Sequence, residues 1–87
     1  MLQENSKRKE RKLVENNPKK QRDIRRYNAY AQYRDKMGVT DYYISKMSGV
    51  STSTLSEWSK GLYCPNADNL LKICEVIKVP LEKILVE

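Results

Sequence analysis

The stretch TDYYISKMSGVSTSTLSEWSKG, residues 40–61, decides how the chain folds. Thr40 is suited to cap a helix by accepting a hydrogen bond from a first-turn N–H, and Val39 before it can staple onto Ile44. Eleven residues later the device recurs, with Ser51 as cap and Val50 facing Leu55. Between the two lies Ser48-Gly49, and Gly49 supplies the left-handed conformation that ends a helix at little steric cost. The reading is helix, glycine turn, capped helix. Ile44 and Met47 are expected inward on the first helix, 41–48. Leu55 and Trp58 are expected inward on the second, 52–60, which leaves Thr52, Ser53, Ser56, Glu57 and Lys60 outside. Ser45 is small where the two helices must approach closely.

Outward from this stretch the pattern stays helical. Tyr30, Tyr33, Arg34 and Met37 fall at i, i+3, i+4 and i+7 and predict a first helix from about Tyr27 to Lys36, closed by Gly38. Tyrosines at this spacing read as core residues with solvated hydroxyls. After Gly61, Pro65 starts a turn, Asn66 is an N-cap, and Leu70, Ile73, Cys74 and Ile77 form the inward stripe of a fourth helix. Pro80 suits the first turn of a short fifth helix, Leu81 to Leu85, with Leu81, Ile84 and Leu85 completing the core. No segment shows sustained alternation, so an all-α domain of five helices is expected.

The net charge of +6 is unevenly placed. Residues 1–26 hold ten basic and four acidic side chains, whereas residues 27–87 hold seven of each. The chain is therefore read as a basic arm, 1–26, disordered or transiently helical, followed by a neutral folded domain, 27–87. Asn16-Asn17-Pro18 interrupts any helix begun upstream, although Lys19 to Arg26 could extend the first helix. The arm reads either as an electrostatic grip on nucleic acid or as a solubilising tail.

Other function classes find little support. The chain has no histidine for general-base work, no phosphate-cradling glycine loop and no clustered carboxylates, so no enzyme, metal or cofactor is expected. Cys64 and Cys74 lack metal-site spacing and read as reduced thiols, with a single disulfide left open. No apolar run approaches membrane-spanning length and the start lacks a signal-peptide segment, which points to the cytoplasm.

These elements together resemble the Cro/repressor-type, or XRE-like, helix-turn-helix family over about Tyr30 to Leu85. The resemblance is carried by RDKMGVT, ISKMSGVSTSTLSEWSKG and CPNADNLLKICEVIKVPLEKIL, with Gly49, Ser45 and Leu55 at the family's fixed points and Pro65 matching the proline after the recognition helix. It implies a lambda-repressor-like DNA-binding domain acting as a transcriptional regulator of prokaryotic or phage type. It also implies double-stranded DNA as partner, a homodimer through the region of Val79 to Val86, and no small-molecule ligand. In the recognition helix, 52–60, Thr52, Ser53, Ser56 and Glu57 would reach bases. Arg34, Tyr42, Lys46, Ser51 and Lys60 would contact the DNA backbone, with Lys36 nearby.

Two positions depart from the family pattern. Asp41 stands where a phosphate contact is usual and would repel phosphate. Arg34 faces Ser59 rather than a glutamate in the recognition helix, which leaves it to pair with Glu57 or to touch phosphate. A neutral domain with tyrosines on its surface also fits a second reading, a protein-interaction module or antitoxin-like partner that keeps the fold with weak or no DNA binding.

Overall fold

The structure, a computed structural model, describes residues 17–86. Four α-helices follow one another: α1 (Pro18–Met37), α2 (Asp41–Ser48), α3 (Thr52–Ser59) and α4 (Ala67–Ile77), with a single 3-10 turn at Leu81–Lys83. No strand occurs among the described residues.

Three of the four helix starts are written in the sequence as capping chemistry. Thr40 accepts from the Tyr43 N–H, Ser51 from Thr54 and Asn66 from Asn69, at 3.2, 3.1 and 2.9 Å. The fourth start differs from expectation. Asn17-Pro18, read only as ending any upstream helix, is the N-terminus of α1, and Lys19 to Arg26 do extend the first helix. The Asn17 side chain accepts from the N–H groups of Lys19 and Lys20, and Pro18 occupies the first helical position, where its missing N–H costs nothing. So α1 is 20 residues long, about twice the expected length, and runs through the boundary drawn at residue 26. Residues 1–16 of the arm lie outside the described residues.

Among the described residues there are four α-helices, and the fifth expected at Leu81 to Leu85 is not one of them. The segment after Pro80 makes a 3-10 turn rather than a fifth α-helix. Its Ile84 is buried and Leu81 partly so, but Leu85 stays at the surface.

The core collects Tyr30, Ile44, Leu55, Trp58, Leu70, Ile73, Cys74 and Ile77 from the four helices, with Val50 and Ile84 from the segments between and after them. Besides Leu85, two more expected core residues are outside: Met47 is 59 % exposed and Met37 is 41 % exposed. With only eight residues in α2, the face that meets α3 and α4 is satisfied by Ile44, and the last turn carries Met47 into solvent. Tyr30 is fully buried and its hydroxyl is bonded to protein, not solvated. Cys64 and Cys74 are both free thiols, and burial pushes each thiol above its ordinary value. Among the described residues, no helix is long and apolar enough to cross a membrane.

Candidate nucleic-acid interface

The inner face of α3 is held by an aromatic cluster. Trp58 is fully buried and stacks on Tyr30 from α1, ring centroids 5.3 Å apart and planes 25° from parallel. Tyr27 meets the same indole edge-on at 5.3 Å and 87°. These two tyrosines are tied in turn to α2. The Asp41 carboxylate accepts from the Tyr30 hydroxyl at 2.6 Å, from the Tyr27 hydroxyl at 2.7 Å and from Arg34 Nη1 at 2.7 Å. Arg34 also donates from Nη1 to the Tyr27 hydroxyl at 2.9 Å, while Nε and Nη2 reach Asp35. A chain of contacts thus runs from the first residue of α2, through α1, to the buried side of α3, and it sets how the two short helices stand on the long one.

This clamp changes the reading of two residues. Arg34 pairs with Asp41 and Asp35, not with Glu57, and most of its donors are used within the fold. It is a clamp between α1 and α2 and not a member of the exposed face. Asp41 turns its oxygens inward, and Arg34 offsets its charge, so it does not present a bare carboxylate to an approaching phosphate.

The titrations follow the geometry. Burial alone would raise the Asp41 pKa, but the hydrogen bonds from Tyr30, Arg34 and Tyr27 bring it below the ordinary carboxylate value. Burial raises the pKa of both tyrosines, and their bonds to Asp41 raise it further. Burial opposes the charged form of Arg34, yet its bonds to Asp41, Asp35 and Tyr27 more than compensate and raise its pKa.

The outer face of α3 is open. Thr52, Ser53, Ser56, Glu57 and Lys60 line one shallow depression, and all five are exposed. No ion pair joins Glu57 to Lys60 among the described residues, so the three-residue spacing does not consume either charge. At the entrance to α3, Ser51 Oγ caps the helix and lies 2.9 Å from the Thr54 hydroxyl. On α2, Tyr42 is 64 % exposed, and the Lys46 ammonium sits over its ring at 5.7 Å. The small, hydroxyl-rich surface of α3 leaves room for a groove about 12 Å wide, and its side chains offer both donors and acceptors.

The electrostatics also shift once α1 is drawn at its true length. Asn17 to Val86 contain twelve lysines and arginines against seven aspartates and glutamates, a net +5. The neutrality expected of the folded part came from placing the boundary at residue 26, which assigned five cations of α1 to the arm. One buried acid lies among them: Asp23 is 1 % exposed, with Lys19 at 3.5 Å and Arg22 at 3.7 Å.

A helix-turn-helix family model matches residues 31–84. The chain belongs to the Cro/repressor-type, XRE-like helix-turn-helix family. No curated protein and no solved structure matches the chain significantly. Proteins of this helix-turn-helix family are DNA-binding regulators, and the match spans α2, the Gly49 turn and α3 in full.

Within this helix-turn-helix protein, sequence reasoning missed two structural residues. Asp41 reads in the sequence only as a charge facing phosphate, because its three donors come from residues 7 to 14 positions away in the chain. A hint was present, since Tyr27, Tyr30 and Arg34 recur at helical spacing with one acid following the turn. Asp23 gave no such hint. It is a single acid in a basic run, and only the packing of the long helix buries it.

Proposed function

We propose that the chain is a sequence-specific double-stranded DNA-binding transcriptional regulator of prokaryotic or phage type that lays α3 in the major groove. The observation that carries this reading is the exposed strip Thr52, Ser53, Ser56, Glu57 and Lys60 on a helix whose opposite face is locked by Trp58. A rigid, narrow helix with an unencumbered polar face is what base readout requires. Thr52 and Ser53, on the first turn, are assigned to base edges. Ser56 lies one turn further on. Glu57 is suited to accept from a cytosine amino group, worth about 1–3 kcal/mol of discrimination when aligned. Lys46, Lys60, Tyr42 and Ser51 are assigned to phosphates, which position the helix without reading sequence. Arg34 is withdrawn from that set because its guanidinium is held by Asp41 and Asp35.

The chain is proposed to bind as a homodimer. A groove lined by Leu71, Val79, Pro80 and Leu81 is also lined by Glu75 and Lys78. A two-fold interface over this groove would allow Glu75 of each copy to pair with Lys78 of the other. A second reading, a protein-interaction module, is favoured by the exposed Tyr42, Tyr43 and Met47 on α2 and by Leu62 and Tyr63 after α3.

Replacing Ser53 and Lys60 separately by alanine tests the assignment. Ser53→Ala is expected to change which duplexes are preferred. Lys60→Ala is expected to weaken all duplexes alike and to reduce the salt slope by about one. Equal, sequence-independent losses from both variants would refute the role given to Ser53.

A further inference from the structure

We propose that Lys20, on the first turn of α1, is a phosphate-binding residue of the DNA interface, held at the exit of α3 by a clasp over Gly61. This rests on the DNA-binding reading above.

The clasp is defined by close approach. Gly61 has φ +76°, and a Cβ there would fall 2.6 Å from Lys20 Cγ and 2.9 Å from Ile24 Cγ1. Side chains never come that near a Cβ without something moving, so the first turns of α1 lie directly against the chain as it leaves α3. Lys20 and Ile24 are one helical turn apart, and both are half-buried. Their apolar stems cover Gly61, the residue that follows Lys60. The Lys20 stem is therefore held by packing, and a long cationic side chain commonly buries its stem in this way while keeping its charged end available to solvent or an anion.

The neighbouring cations are differently engaged. Lys19 and Arg22 flank the buried Asp23. Arg26 Nε donates to the Val86 carbonyl at 3.3 Å. Lys20 makes no ion pair among the described residues. It also stands in the first turn of a helix that carries no acid there, where the helix dipole disfavours a cation. An anion bound beside it would relieve that repulsion.

The position matches where a phosphate must pass. An eight-residue helix is about 12 Å long, comparable to the major-groove width of about 12 Å. When such a helix lies in the groove, its two ends approach the two flanking backbones. Lys60 closes α3 at one end, and Lys20 is packed against the next residue of the chain. The two lysines then form a pair at one backbone, contributed by α3 and by the part of α1 that lies N-terminal to the matched family segment.

Lys20→Met keeps an unbranched apolar stem over Gly61 and removes the charge. The test measures binding of the full chain and of this variant to mixed-sequence duplex DNA across a salt series. One lost phosphate contact lowers the slope of log K against log salt by about 0.9, which is about an eightfold loss of affinity at 0.1 M salt. Sequence preference is expected to stay unchanged. Gly61→Ala supplies an independent probe: it forces Lys20 and Ile24 off the turn and should reduce the slope similarly with Lys20 still present. A slope within 0.3 of the parent and affinity within twofold for Lys20→Met would overturn the assignment while leaving DNA binding intact. If the parent chain itself binds no duplex at low salt, the functional reading fails, and this inference fails with it.

Discussion

Removing the Asp41 carboxylate should do far more damage than the loss of one half-buried acid at a helix start would suggest. Asp41→Ala strips the acceptor from the fully buried Tyr30 hydroxyl, from Tyr27 and from Arg34, whose side chain is 17 % exposed. A hydrogen bond to a charged group contributes about 1.5–3 kcal/mol, and a buried donor left without a partner costs about 1–3 kcal/mol. Asp41 itself is 29 % exposed, so water can reach part of the site and the sum must be discounted. A loss of about 3 kcal/mol is expected, near the lower end for breaking a buried ion pair from one side. For a domain of this size that lowers Tm by roughly 12–24 °C.

Asp41→Asn keeps shape and one acceptor and should cost about 1–2 kcal/mol. The two variants separate further with pH. The folded pKa of Asp41 lies below its unfolded value of about 3.9, so its contribution is complete above that value and is lost as pH falls through the folded pKa. At the alkaline end the raised Tyr30 pKa acts in the opposite sense. Its contribution is complete below about pH 10 and declines above it, because the unfolded chain releases the proton first. Urea denaturation of the parent chain and both variants at pH 7 and pH 3 checks the reasoning. The gap between parent and Asp41→Asn should narrow at pH 3. An Asp41→Ala variant within 0.5 kcal/mol of the parent at pH 7 would refute the clamp.

Two backbone substitutions test the turns. Gly49 has φ +84°, and a Cβ added there would meet nothing within 4 Å, so Gly49→Ala should cost about 1–2 kcal/mol from conformation alone. Lys78 closes α4 at φ 63° and ψ 42° as a non-glycine residue. Lys78→Gly should therefore raise stability by about 0.5–1 kcal/mol, measured by thermal or urea unfolding.

How much of this was legible in the residues depends on the range over which each signal acts. The two short helices are readable to the residue at their starts, because caps and the Gly49 turn are local chemistry confined to four or five positions. The outward set Thr52, Ser53, Ser56, Glu57 and Lys60 follows from the inward placement of Leu55 and Trp58 three residues apart. The length of α1 is not readable in the same way, because Asn17-Pro18 can stop one helix or start another, and only packing decides between them. That packing is Ile24 and Lys20 against Gly61, a contact across about forty residues of chain. Met47 falls outside the core because periodicity says which face a residue occupies, not how far the neighbouring helix extends. The Asp41 clamp joins residues that no single helical stripe contains.

Whether α3 reads base sequence in duplex DNA is tested most directly by selecting bound duplexes from a random pool with the purified chain. The expected result is enrichment of a defined consensus with two half-sites about one helical turn apart, roughly 34 Å, lost or altered in Ser53→Ala. Retention of duplex without any enriched sequence, or no retention at low salt, would contradict base reading by α3.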